Sequence, residues 1–181
     1  MKNHVDNNFS HSYLCRRRHK VAFIAEALPS DSSTQSVCGM VIRMNREEIM
    51  KIIPHRENMM LLDDVENKDG FAVGHYTVRG DEFFLKGHFP GNPIVPGVIL
   101  CEILAQSACI LMQDAMSEGK LPMYTGLNNV KFRAPVRPGD KIETRCSIKR
   151  SKHPFYFAEG TVTVGEKLCV FAEFSFAVMG D

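Results

Sequence analysis

From Val98 to Met116 apolar residues fall on nearly every face of a helical wheel, and VILCEILAQSACILM carries almost no polar break. A helix apolar all round is a buried helix. Pro96-Gly97 opens it and Gly119 lies just past its end, the usual punctuation at helix termini. Glu102, Gln106 and Gln113 fall at steps of four and seven, along one stripe. Elsewhere the period is two. KIETRCSIKRS (141–151) alternates Ile142, Thr144, Cys146 and Ile148 with charged residues; FYFAEGTVTV (155–164) and LCVFAEFSFAV (168–178) are joined by Gly165-Glu166-Lys167. These read as strands, the last two as a hairpin. TGLNNVKFRAPV (125–136), MLLDDVE (60–66) and FAVGHYTV (71–78) complete the set, with Asn67–Gly70 as a turn. NREEIMKIIP predicts a short helix capped by Asn45, with Glu48 in capping-box position and Pro54 ending it. The pattern is α+β: an antiparallel sheet wrapped over one long helix. One sheet covers only part of an all-apolar helix, so an oligomer is expected.

Composition narrows the class without naming it. With 181 residues, 44% apolar and 24% charged, the chain reads as one compact domain. A net charge of +1 gives no global reason to expect nucleic acid or membrane as partner, and no apolar run reaches the ~18 residues of a membrane span. The six cysteines show neither CxxC nor metal-type spacing with histidine, so no metal is expected and a reducing, cytoplasmic setting is. Residues 1–43 differ from the rest, with clustered Asn, Ser and His, a basic run at Arg16–Lys20 and PSDSSTQS at 29–36. They read as a disordered N-terminal extension, with an organellar transit segment as the alternative. The domain proper is placed at 44–181.

GHFPGNPIVPG, Gly87 to Gly97, concentrates the candidate chemistry. Pro90, Pro93 and Pro96 fix three φ angles, Gly87, Gly91 and Gly97 permit close backbone approach, and His88 is the one side chain there that titrates near neutral pH. A loop this stiff holds an imidazole with little entropy left to lose. Glu102 is the second candidate. A carboxyl in so apolar a helix is expected to have a raised pKa, suited to a general acid. The third is the helix start at Gly97-Val98, whose first amides lack intrahelical partners and carry the positive end of the dipole. Together these make a base beside a carbonyl, amides that polarise it, and an acid for a leaving hydroxyl: elimination of water to an α,β-unsaturated carbonyl compound, with no cofactor. His88 and Glu102 are fourteen residues apart across a stiff loop, so the pair is expected to meet across a two-fold interface.

PHRENMMLLDDV, GHFPGNPIVPGVILCEILAQ and NNVKFRAPVRPGD, in this order, resemble the (3R)-hydroxyacyl-acyl-carrier-protein dehydratases of bacterial type II fatty acid synthesis. The likeness runs from about Asn45 to the C-terminus. It implies a hot-dog fold, a homodimer with two shared sites, further assembly as a trimer of dimers, and an acyl carrier protein as partner. It implies His88 as the catalytic histidine, Glu102 of the partner subunit as the acid, and the Gly97 amide as the thioester's carbonyl donor. A sister group that also isomerises the double bond typically has aspartate where Glu102 stands. The family's aromatic gate falls near Met123-Tyr124, so Tyr124 is the candidate gate. Phe89 and Val98 are expected at the substrate with some of the helix methionines. His55 and Arg56, a pair the family shares, are read as a structural contact between the first helix and the sheet. Lys131, Arg133, Arg137, Arg150 and Lys152 are either a solvated face or a docking patch for the acidic carrier protein.

Overall fold

The computed structural model describes residues 41–116 and 119–180. In chain order it contains β1 (Ile42–Asn45), α1 (Arg46–Ile49), β2 (Asp64–Lys68), β3 (Phe71–Thr77), a 3-10 turn (Phe83–Leu85), α2 (Gly97–Cys109), a second 3-10 stretch (Ile110–Ala115), β4 (Lys120–Phe132), β5 (Lys141–Lys152), β6 (Phe155–Val164) and β7 (Lys167–Gly180). The seven strands form one antiparallel sheet in the order β1-β2-β3-β5-β6-β7-β4. The α+β architecture read from the hydrophobic pattern is the one observed.

The sheet exists to cover α2. The helix packs against β3, β5, β6 and β7, and Ile103, Leu104, Ala108 and Ile110 have no exposed surface. Each fully buried aliphatic side chain of this size stabilises by roughly 1.5–3 kcal/mol. Helix and sheet approach most closely at Gly74, where an added Cβ would meet Ser107 Oγ and Thr144 Oγ1. Those two hydroxyls bond each other at 2.7 Å, and Thr144 Oγ1 accepts the Gly74 amide at 3.0 Å, so the polar atoms in this contact are satisfied. By length and composition the run Gly97–Ala115 would also suit a membrane span. Here 61% of it is buried in the protein, as befits a core helix.

Four differences from the sequence reading have local causes. Ile42 and Arg43, assigned to the extension, pair with Asn67 and Glu66 of β2, so the sheet begins before residue 44. Residues 1–40, on which the disordered or transit-segment reading otherwise falls, lie outside the described residues. Met60–Leu62 are buried but not in a strand, because the Leu61 amide donates to the Gln106 side chain instead of to a neighbouring strand. α2 tightens into a 3-10 helix after Cys109 rather than running on to Met116. Ser107 Oγ donates to the Ile103 carbonyl at 3.0 Å just before that point, a back-bond that bends helices. β4 starts at Lys120, five residues early, since Lys120–Tyr124 already pair with β7. The capping box at Asn45 and Glu48 is present in both directions, at 3.1 and 2.8 Å.

Candidate active site

The glycine–proline loop follows the 3-10 turn at Phe83–Leu85 and delivers the chain to α2. Three bonds shape it: the Asn92 amide to the Phe89 carbonyl at 2.9 Å, the Val95 amide to the Val136 carbonyl at 2.8 Å, and Arg137 Nη1 to Asn92 Oδ1 at 2.8 Å. Inside it, His88 Nδ1 lies 2.8 Å from the Ile94 carbonyl. A carbonyl only accepts, so Nδ1 carries a hydrogen, and in the neutral imidazole Nε2 then keeps the lone pair. Phe89 sits at φ +55 with its ring 4.1 Å from the imidazole. Positive φ is costly for a bulky side chain and is found where surrounding structure enforces it, often at functional sites.

At the helix start, the Pro96 carbonyl accepts from Ile99 and Leu100. Among the described residues the Gly97 and Val98 amides have no backbone partner. They border a cavity of about 590 Å³ whose lining includes His88, Phe89, Gly97, Val98, Phe132 and Arg133. That volume suits a small-molecule or acyl group. A Cβ at Gly97 would come within 2.6 Å of the Phe132 ring, so glycine is needed for this approach. The structure therefore brings together five of the residues singled out in the sequence: His88, Phe89, Gly97, Val98 and Arg133.

Glu102 belongs to a different place. It faces a second, small cavity of about 30 Å³ lined by His55, Gln106, Cys109, Tyr124 and Phe176 among others, and His88 does not border it. Glu102 Oε1 is 3.1 Å from His55 Nε2 and accepts from Gln106 Nε2 at 2.9 Å. Gln106 is 1% exposed; its Oε1 accepts the Leu61 amide at 3.0 Å and its Nε2 also donates to the Met59 carbonyl at 2.7 Å. This corrects the expected raised pKa. Burial pushes the carboxyl up, but the hydrogen bonds from His55 and Gln106 and the His55 charge outweigh it, and Glu102 is held below the ordinary carboxylate value. Tyr124, the candidate gate, donates its hydroxyl to the Cys101 carbonyl at 2.8 Å and stacks near Phe174 and Phe176. Burial first, and then the Glu102 charge, push its phenol well up.

The basic residues also divide. Lys131, Arg133 and Arg137 are exposed; Arg133 lines the His88 cavity and Arg137 ties the loop. Arg150 sits over the Phe157 ring at 4.2 Å and lines, with Lys152 and Phe155, a separate surface hollow. His55, read in the sequence as a contact between the first helix and the sheet, meets Glu102 of α2, and Gln106, read only as a member of the polar stripe, bonds the same carboxylate. The signal for the second contact was Gln106's place four residues after Glu102 on the same stripe; nothing local pointed from His55 to the helix. Among the described residues no cluster of three or more His, Cys, Asp or Glu could hold a metal ion.

Residues 53–173 match the FabA-like domain family. The chain is 38% identical over 141 residues to the 3-hydroxyacyl-[acyl-carrier-protein] dehydratase FabZ of Clostridium beijerinckii, covering 75% of this chain and 99% of that protein. It is 39% identical over 137 residues to the FabZ of Caulobacter vibrioides, covering 73% and 86%. It is 42% identical over 141 residues to that of Alkaliphilus metalliredigens, covering 76% and 96%. Among solved structures, the dehydratase heterocomplex ApeI:P of Xenorhabdus doucetiae superposes with a TM-score of 0.64 at 19% identity, over 74% of this chain and 91% of that one, a likeness of fold.

Proposed function

The chain belongs to the FabZ-type 3-hydroxyacyl-[acyl-carrier-protein] dehydratases, hot-dog proteins of fatty acid synthesis, and from that premise we propose how its residues carry out the dehydration. His88 Nε2 removes the proton on the carbon next to the thioester carbonyl. The Gly97 and Val98 amides bind that carbonyl and stabilise the enolate-like charge, where helix-end donors act most strongly. A carboxyl, Glu102, protonates the departing hydroxyl, and water leaves with the trans-2-enoyl thioester as product.

The observation that carries this reading is the His88 ring itself: Nδ1 is tied to the Ile94 carbonyl at 2.8 Å, which in the neutral ring leaves the Nε2 lone pair free, beside a cavity bordered by two helix amides without a backbone partner. General acid–base catalysis by a group so placed contributes on the order of 10²–10⁴-fold.

In this reading the acid comes from a second copy. Glu102 does not border its own chain's His88 cavity. β4 ends the sheet, and Leu121, Met123, Leu127 and Phe132 along it are large, apolar and exposed, the kind of edge that natural proteins cover. A homodimer closed there puts the partner's Glu102 at each His88. The acyl chain arrives on an acyl carrier protein, whose acidic surface is met by Lys131, Arg133 and Arg137, and the reaction runs in the cytoplasm.

Mixed dimers test the shared site. Co-expression of His88→Ala and Glu102→Gln subunits leaves each mixed dimer one intact site and one doubly substituted site. Either homodimer is expected to be nearly inactive and the purified mixed dimer to recover half of wild-type turnover. A mixed dimer no better than its parents would mean that both residues act from one chain.

A further inference from the structure

The stiffness of the His88 loop is its own, but its placement is not. Prolines fix φ and glycines allow the bends; neither ties a loop to the rest of a protein. Packing contributes little at the tip, where residues 89–93 are all exposed. The bond from the Asn92 amide to the Phe89 carbonyl holds the tip's shape only. Between Phe89 and Val95 two residues reach the loop from outside, both in the β4–β5 connection at 133–140. The Val136 carbonyl accepts the Val95 amide at 2.8 Å, and Arg137 Nη1 donates to Asn92 Oδ1 at 2.8 Å and lies 3.4 Å from the Pro93 carbonyl. Nη1 carries two hydrogens, one for each acceptor. Among the described residues no other side chain from outside the loop hydrogen-bonds to it.

These contacts straddle the atom that orients the base. Ile94, whose carbonyl meets His88 Nδ1 at 2.8 Å, has one neighbour held by Arg137 and the other by Val136. Arg137 in turn stands on braced backbone. Its amide donates to Asp140 Oδ2 at 2.8 Å, and the Asp140 amide returns to its carbonyl at 3.1 Å. The same turn is pinned to Val78, just past β3 and buried: the Gly139 amide donates to the Val78 carbonyl at 2.8 Å and the Val78 amide to the Asp140 carbonyl at 3.0 Å. A line of bonds thus runs from the core, through the turn and the guanidinium, to the residue that holds the imidazole. A charged donor makes the stronger hydrogen bond. Arg133 borders the His88 cavity and Arg137 does not. A docking patch needs only charge, whereas this arrangement uses the geometry of an arginine.

We infer that Arg137 is a positioning residue for His88: through Asn92 and the Pro93 carbonyl it fixes the loop tip, and with it the Ile94 carbonyl that orients the imidazole. The inference rests on the reading of His88 as the base and on no role of Arg137 toward the carrier protein. Without the clamp the tip drifts, the Ile94 carbonyl moves with it, and Nε2 no longer points at one place. The proton transfer then slows, while the cavity walls and helix amides that bind substrate are untouched.

Asn92→Ala decides between positioning and docking, because it removes the clamp and leaves every basic residue in place. In the full-length enzyme with saturating 3-hydroxyacyl carrier protein, kcat is expected to fall roughly 10-fold, short of the roughly 10²-fold that a misplacement of about 1 Å can cost, with KM and Tm near wild type. Arg137→Gln is expected to lose as much in kcat, and the double variant no more than the larger single loss, as for two residues that act as one contact. Asn92→Asp keeps an acceptor for the guanidinium and is expected to restore the kcat that Asn92→Ala loses. Where Arg137→Gln fails to fold, judged by Tm and elution volume, the alanine and aspartate variants of Asn92 decide alone. Unchanged kcat in Asn92→Ala overturns the proposal, as do single losses that multiply in the double variant. A raised KM in Arg137→Gln with kcat unchanged also overturns it and leaves docking as that residue's role. Wild-type turnover in His88→Ala would instead remove the base on which the proposal stands.

Discussion

The two halves of the site are built on opposite plans. The His88 half is made by a local segment: the base, the helix amides and the bends between them lie within Gly87–Val98, and the imidazole is held by a carbonyl six residues away. The Glu102 half is made by long-range contacts, with Gln106 reaching Met59 and Leu61, and His55 coming from a different element altogether. Local construction gives stiffness through prolines and glycines. Long-range construction gives an interlocked polar cluster against an apolar core, in which each member depends on the others and His55 Nδ1 is the one buried side-chain polar atom without a partner among the described residues.

The largest effect should come from the local half. His88→Ala removes the base but none of the loop's backbone bonds, so kcat is expected to fall by about 10³-fold while Tm changes little. Activity and thermal melting of the same preparation check this. A large drop in Tm would show that the loop depends on its histidine, and the contrast between the two halves would disappear.

That contrast also explains what could be read from the sequence. The helix, six of the seven strands and the His88 loop follow from periodicity and from turn residues within short windows and were legible; β1, at Ile42–Asn45, was not. Glu102 was legible as a carboxyl in an apolar run, but its ionisation was not. The sign of its shift is set by His55, forty-seven residues away, and by a glutamine whose own partners, Met59 and Leu61, are equally remote in the chain. The Met60–Leu62 segment was misread as strand for the same reason: its amide is spoken for by a side chain of α2. Sequence windows report propensity, and long-range hydrogen bonds override it.

The next effect belongs to the long-range half. Gln106→Leu leaves the Leu61 amide and the Met59 carbonyl without their side-chain partner, at a cost of roughly 3 kcal/mol, and it frees Oε1 from one of its two donors. The change should also alter stability against pH. Burial raises the Glu102 carboxyl, but the His55 and Gln106 bonds and the His55 charge lower it further, leaving it below 4.5. A group depressed in this way contributes stability that is present above its unfolded value and lost as pH falls through its folded value. Tm of the wild type should therefore drop on acidification below pH 4.5. The drop should be shallower in Gln106→Leu, where part of the depression is already gone. Parallel Tm-against-pH curves would deny Glu102 this long-range support.

The smallest effect separates the two groups of basic residues. Arg133 borders the His88 cavity, whereas Arg150 is stacked on Phe157 over another hollow. If the carrier protein approaches the mouth of the His88 cavity, its charge is felt mainly within a Debye length, about 8 Å at physiological salt. Arg133→Glu is then expected to raise KM for carrier-bound substrate several-fold and to flatten its dependence on salt, with kcat nearly unchanged, because steering acts on encounter rather than on chemistry. Arg150→Glu should leave both KM and the salt slope near wild type. Equal responses from the two variants would mean that net charge, not a located patch, draws the carrier protein in. A response from Arg150 alone would move the docking face to the β5–β6 hairpin.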